Sequence, residues 1–369
     1  MKTPFLFRAP SFDAQAIDET IRSALASAGL GTTAGPMPGV TDTIRRALAS
    51  ASASGRLPTT DDPQAPCGTF AAREYANRAG ARAYKLYVPA QLNALQPPLV
   101  VMLHGCTQSA DDFAAGTRMN RLADEHGFLV VYPEQATGAN PSKCWNWFKA
   151  QDQVRDCGEP SLIAGIVREV AARHGVDTRR IFVAGLSAGA AMAVILGETY
   201  PELFAGVGAH SGLPYRIAHD IPSALAAMKG GRSGLAGLPA APGADGATLS
   251  KMAQAVPTIV FHGDRDHTVQ LSNGIGIVQQ ARNAHSAAEA GAAMRVSTER
   301  GSRPGGRSYS RTVHADAAGR ARVESWTVHG AGHAWAGGSQ SGSYTDASGP
   351  DASAEMVRFF LSLPCAGSA

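Results

Sequence analysis

An α/β protein built on a doubly wound, mostly parallel sheet is the fold this sequence predicts, and three observations carry that prediction. Short continuous apolar runs, "PPLVVMLHG" (97–105), "FLVVYPE" (128–134) and "RIFVAG" (180–185), read as strands buried on both faces. Segments with helical spacing stand between them, "DDFAAGTRMNRLADEHG" (111–127), "SLIAGIVREVAARHG" (161–175) and "AAMAVILGETYP" (190–201). Strand and helix alternate along most of the chain, which is the pattern of βαβ units. The 369 residues, 44% hydrophobic and 17% charged, suffice for one large α/β domain plus an extension and argue against global disorder.

The elements follow in order. Residues 1–68 form an N-terminal extension holding two similar segments, "TIRSALASA" (20–28) and "TIRRALASA" (43–51). Each reads as a short helix, with Asp18 and Thr41 or Asp42 as N-caps, joined by the Gly/Pro loop 29–40. They either pack on the main domain or offer an apolar surface to a partner or polymer. Residues 69–365 form the α/β domain. It opens with "REYANRAGARAYKLYVP" (73–89), two strands around an Arg-Ala-Gly turn. After 175 come the strands "FAGVGAHSG" (204–212), "PTIVFHGDRD" (257–266) and "ARVESWTVHGAGH" (321–333), and "SAEMVRFFLSL" (353–363) closes as a helix. The Gly-, Ala- or Arg-rich stretches 216–255 and 298–321 lack periodicity and read as insertions over one edge of the sheet.

Composition excludes several functions. A formal charge of +3 with no Lys/Arg run argues against nucleic acid. No apolar run approaches the ~18 residues of a membrane span. The start, "MKTPFLFRAPSFDAQAIDE", lacks the apolar core of a secretory signal, which favours a cytoplasmic location. Cys67, Cys106, Cys144, Cys157 and Cys365 lie far apart in no C-x-x-C pattern, which speaks against a metal site. Cys106 and Cys144 follow elements at the same end of the sheet and could pair; a cytosolic location would oppose it.

The chemistry centres on Gly185-Leu186-Ser187-Ala188-Gly189, a G-x-S-x-G match. In a chain with 41 glycines such a match means little alone. Here a buried strand precedes it and a small-residue helix follows, the context of a nucleophile elbow. Ser187 then stands above the carboxyl edge of the sheet. A serine needs a histidine to take its proton and an acid to orient that histidine, in the chain order Ser, acid, His. Asp266, in the loop after a strand, is the acid; Asp264 caps or shapes the turn. His333 follows a Gly-Ala-Gly loop and is the base; His329 is read as the last residue of its strand and a packed neighbour. The Ala188 N–H and the Cys106 N–H are the oxyanion donors. His104 ends the strand beside the elbow and, with Trp145, Trp147 and Trp335, is assigned to substrate binding. Core packing is the competing account of the tryptophans. Glu159, in "GEP" (158–160), reads as a helix cap.

The stretches "LHGCTQSADDFAAGTRMNRLADEHGFLVVYPEQ", "KCWNWF", "VAGLSAGAAMA" and "GAGHAWAGGSQSGSYTDASGPDASAEMVRFFL" resemble the polyhydroxybutyrate (PHB) depolymerase-type esterases of the α/β-hydrolase superfamily, over about residues 70–364. The resemblance implies serine hydrolysis of carboxylic esters, above all short 3-hydroxyacid polyesters. It places the family's nucleophile, acid and histidine on Ser187, Asp266 and His333, and its oxyanion cysteine on Cys106. Feruloyl and acetylxylan esterases belong to the same continuum and are the alternative. The resemblance also carries an extracellular location as the alternative to a cytoplasmic one. The expected partner is a polyester or small ester substrate, with the oligomeric state left open. The triad and oxyanion donors supply the chemistry, so no metal or organic cofactor is expected. A dead scaffold is disfavoured because all three triad members are present in order. A peptidase is disfavoured because neither a gating domain nor an amine-binding acid pair is visible.

Overall fold

The computed structural model describes residues 68–92, 94–230, 255–289, 291 and 293–364. The two expected helices of the N-terminal extension lie outside these residues. Five fully buried strands form the centre: β3 (Leu99–Leu103), β4 (Leu129–Pro133), β5 (Ile181–Leu186), β6 (Gly206–His210) and β7 (Thr258–Gly263). With β10 (Ala321–Val328) they pair in parallel in the order β4-β3-β5-β6-β7-β10. An antiparallel pair extends each edge: β1 (Thr69–Asn77) and β2 (Gly80–Val88) beside β4, β9 (Ser308–Ala315) and β8 (Arg295–Ser302) beside β10.

Side chains alternate across the strands, so each strand feeds two cores. Leu99, Val101 and Leu103 enter one, with α3 (Gly158–His174), α4 (Ala188–Thr199) and α6 (Leu271–Ala288). Val100 and Met102 enter the other, with α1 (Ala110–Thr117), α2 (Met119–His126) and α7 (Ala352–Ser362). Helices on both faces explain why the central strands read as unbroken apolar runs. Among the described residues no helix is long and apolar enough to cross a membrane.

Three stretches differ from their sequence reading. Residues 111–127 form two helices, because Arg118 adopts a left-handed backbone (φ 54°, ψ 27°) whose N–H closes on the Ala114 carbonyl. The stretch 298–321 is sheet: it supplies the second half of β8, all of β9 and the first residue of β10. Almost every residue of β8 is solvent-exposed, so no apolar alternation marked it; its charged residues suit an unpaired sheet edge. Within 216–255, Ile221–Met228 form α5, started by a capping box between Asp220 and Ser223, while 231–254 lie outside the described residues.

Candidate active site

Ser187 stands between β5 and α4 with φ 57° and ψ −119°, a backbone that non-glycine residues rarely adopt. Close packing forces it. A Cβ on Gly189 would lie 2.1 Å from the Leu103 carbonyl oxygen, and one on Gly185 would lie 2.4 Å from the Gly189 carbonyl carbon. Only glycines at both places let α4 approach the β3–β5 edge so tightly. The Ser187 N–H is fixed by the His210 carbonyl at the end of β6, 2.9 Å away.

Two strands further along the same edge, β7 ends and its loop carries Asp266. The carboxylate is buried. Its Oδ1 accepts the N–H groups of Thr268 (2.9 Å) and Val269 (2.8 Å), and its Oδ2 lies 2.6 Å from His333 Nδ1. Burial alone would raise this carboxyl; the His333 contact and the Val269 N–H hold it below its ordinary value. An ionised carboxylate only accepts, so Nδ1 carries the hydrogen and Nε2 is the nitrogen left for a second partner. His210 ties the His333 loop to the Ser187 elbow: its ring Nε2 accepts the Ala336 N–H (3.0 Å), and the ring stacks on Trp335 at 5.2 Å. Burial pushes the His210 imidazole down to about 3, so it stays a neutral acceptor.

Asp264 has different partners. It accepts from His329 Nδ1 (2.9 Å) and the Gly330 N–H (2.7 Å), and His329 Nε2 meets Ser310 Oγ at 2.9 Å. His329 stands one residue past β10 and is part-exposed, so it is not the packed last strand residue of the sequence reading.

In the loop after β3 most backbone N–H groups are already committed. The Gly105 N–H is held by Gln108 Oε1 (2.9 Å), that of Thr107 by the Ser142 carbonyl (2.7 Å), and that of Gln108 by the Gly105 carbonyl (3.3 Å). The Cys106 N–H has no acceptor among the described residues. Ala188 opens α4, where N–H groups lack intrahelical partners. A disulfide joins Cys106 to Cys144, with Cα atoms 4.2 Å apart, and so ties the loop 144–148 to the same place.

The substrate-binding assignments need correction. Trp145 is 0% exposed, Trp335 1% and Trp147 6%. The Trp145 indole N–H donates to the His104 carbonyl (3.1 Å) and that of Trp335 to Ser353 Oγ (3.0 Å). With ring and N–H both satisfied inside, Trp145 and Trp335 pack the protein and offer no floor. Trp147 is nearly as buried, against the edge of Phe148. His104 is buried too. Its Nδ1 donates to the Gly105 carbonyl (2.7 Å) and its Nε2 accepts the Gln135 N–H (3.0 Å), so it holds loops together. Burial lowers its pKa and keeps that acceptor available.

Other residues around the site escaped the sequence reading. Glu159 is not the cap of α3, which Cys157 occupies, but lies in its first turn. Its buried carboxylate accepts the Asn146 N–H (2.7 Å) and side-chain amide (2.7 Å) and the Gln135 amide, with Arg82 3.6 Å away. Nothing in the local pattern marks a carboxylate that gathers donors from three separate segments. His210 left a faint signal, a histidine ending an apolar strand.

Residues 82–303 match the family model described as esterase PHB depolymerase. Poly(3-hydroxyalkanoate) depolymerase C of Paucimonas lemoignei is 36% identical over 248 residues, which cover 67% of this chain and 57% of that protein. Feruloyl esterase B of Neurospora crassa is 35% identical over 141 residues, 38% of this chain and 47% of that protein. The chain thus matches only about half the length of these curated relatives. Among solved structures, an acetyl xylan esterase from Aspergillus awamori is similar with a TM-score of 0.57 at 20% identity, over 76% of this chain and 94% of that one. That likeness concerns the fold.

Proposed function

Because the chain belongs to the esterase PHB depolymerase family, we propose that it is a serine hydrolase of carboxylic esters. We assign Ser187 as nucleophile, His333 as general base and acid, Asp266 as the orienting carboxylate, and the Cys106 and Ala188 N–H groups as oxyanion donors. One observation carries this reading. A strained serine at a strand–helix elbow shares the sheet edge with a 2.6 Å His–Asp contact and two uncommitted N–H groups.

In this scheme Ser187 Oγ attacks the ester carbonyl while His333 Nε2 takes its proton. Asp266 holds the tautomer and stabilises the imidazolium. The carbonyl oxygen gains charge against the two N–H groups, which are already in place and need no reorganisation. His333 then returns the proton to the leaving alcohol. Water, activated by the same ring, releases the acid from the acyl-serine.

The substrate class that the relatives support is a polyhydroxybutyrate-type polyester or its short 3-hydroxyacid oligomers. The feruloyl esterase relative and an acetylxylan esterase A of Talaromyces purpureogenus, 33% identical over 138 residues, support a feruloyl- or acetylxylan-type ester as second reading. The Cys106–Cys144 disulfide supports an extracellular location over the cytoplasmic one, since such bonds persist in oxidising compartments.

Ser187→Ala should lower ester hydrolysis by about 10⁴-fold or more, and an organophosphonate should label Ser187 in the parent and nothing in the variant. A panel of p-nitrophenyl esters, 3-hydroxybutyrate oligomers and methyl ferulate separates the two substrate readings. Retention of more than about a tenth of the activity by a folded Ser187→Ala protein would remove Ser187 from the chemistry.

A further inference from the structure

Among the described residues the one strongly exposed aromatic is Tyr344, at 42%. Its backbone is left-handed (φ 51°), which bulky residues rarely adopt and which costs on the order of 1 kcal/mol or more. The chain around it is pinned. On one side Ser343 donates its N–H (2.8 Å) and hydroxyl (2.6 Å) to the Asp112 carboxylate of α1. The Tyr344 carbonyl accepts the Trp335 N–H of the histidine loop at 2.7 Å. On the other side Thr345 pairs with Trp335 in a two-stranded ladder, and its hydroxyl donates to the Ser339 carbonyl at 2.9 Å. A ring on so fixed a backbone is presented to solvent by construction.

The ring also has an address. The Tyr344 hydroxyl lies 3.3 Å from Thr107 Oγ1. Thr107 is itself left-handed (φ 68°), and its hydroxyl donates to the Cys106 carbonyl at 2.6 Å. Two strained residues thus meet side by side, and one of them adjoins the free Cys106 N–H. Tyr344 bridges the oxyanion loop and the histidine loop. An exposed ring at that place offers apolar surface that an ester chain beside the Cys106 N–H could cover.

We propose that the Tyr344 ring is the wall of a substrate subsite beside the oxyanion donors, covered by the apolar part of an ester chain next to the scissile bond. It thereby sets the chain-length preference of the enzyme. The proposal rests on the Ser187 reading above. It places at Tyr344 the aromatic contact that the buried tryptophans cannot make.

The test compares the parent with Tyr344→Phe, Tyr344→Ala and Tyr344→Asn; asparagine tolerates a left-handed backbone and keeps a folded ring-deleted variant available. The readout is the ratio of kcat/KM for a 3-hydroxybutyrate trimer to that for p-nitrophenyl acetate, with melting curves and organophosphonate labelling of Ser187 alongside. Loss of the ring should lower the ratio about tenfold, since remote binding energy serves the longer substrate. Tyr344→Phe should stay within about twofold, because the apolar wall remains. An unchanged ratio in a folded Ala or Asn variant overturns the subsite, as does a parent that turns over the acetate ester but not the trimer. A Phe variant as impaired as the Ala variant overturns it too, because the hydroxyl and not the ring would then matter. If the parent hydrolyses neither ester and Ser187 is not labelled, the Ser187 reading fails and the subsite with it. Ser187 labelled with a flat ratio sinks the subsite alone.

Discussion

Asp264 and Asp266 lie two residues apart, and each meets a histidine through Nδ1, at 2.9 and 2.6 Å. Their surroundings separate them. Asp266 is buried and has two backbone N–H groups on its second oxygen, so its histidine faces a fixed, ionised partner. Asp264 is exposed, and such exposed pairs contribute about 1 kcal/mol or less. Asp266→Asn should therefore lower kcat by about 10²–10⁴-fold in a folded protein, by removing the group that fixes the tautomer. Asp264→Asn should cost less than about tenfold in kcat and act mainly on the melting temperature. Steady-state kinetics with melting curves check both, and the reverse order of damage would exchange their roles. The sequence made this pair legible because chain order and position after a strand are local signals. It could not separate burial from exposure at Trp145, Trp147 and Trp335. That difference depends on which neighbours close over each ring, and those neighbours come from remote segments such as His104 and Ser353.

At the scale of elements, the loop after β3 is held by its own Gln108 and by partners from elsewhere in the chain. Gln108 holds the Gly105 N–H, Ser142 holds Thr107, and the disulfide ties Cys106 to Cys144 across a sequence separation of 38. Closing a loop of that length stabilises by about 2–4 kcal/mol, mainly by restricting the unfolded chain. The covalent tie also fixes the loop that presents the Cys106 N–H. Reduction, or Cys144→Ser, should lower stability by about that amount. It should also depress kcat more than KM, since a misplaced oxyanion donor is felt in the transition state. Denaturant unfolding and kinetics on oxidised and reduced protein measure both effects. A fall in stability with kcat unmoved would leave the disulfide a purely structural tie. The central strands were legible because burial on both faces leaves an unbroken apolar run. Strands β8 and β9 were not, because the exposed edge strand β8 and the half-buried β9 beside it carry no clear apolar run to read. The break at Arg118 was hidden as well, since no Gly or Pro marks it.

Across the whole molecule, three positions along the carboxyl edge, at the ends of β3, β6 and β7, hold buried histidines that anchor loops. The rings of His104 and His210 accept the N–H groups of Gln135 and Ala336, and His262 Nε2 donates to the Val269 carbonyl at 2.8 Å. Burial lowers the pKa of all three. It does the same for His285, on the buried side of α6, which is pushed down to about 4 with the Arg322 charge assisting. Such a group is neutral in the folded protein, whereas in the unfolded chain it takes a proton near its ordinary value of about 6.5. As pH falls below that value the unfolded state binds more protons than the folded one, and stability is lost until the folded pKa is reached. Protonation would also remove the acceptor that His104 and His210 give to their loops. At pH 5, His210 and His285 together account for at most about 4 kcal/mol by this linkage. Burial raises Asp152, Glu159 and Glu198, which works the other way. It blunts the decline without reversing it, because six histidines are lowered, His174 and His314 among them. The melting temperature should therefore be level from pH 8 to 7 and fall by about 5 °C or more by pH 5. His285→Leu, which removes one titrating group remote from Ser187, should make the decline shallower. Calorimetry across this range is the measurement. A melting temperature at pH 5 equal to that at pH 7.5 would mean that these rings are not held neutral by burial, and that the histidines at the carboxyl edge do not couple the site's loops to pH.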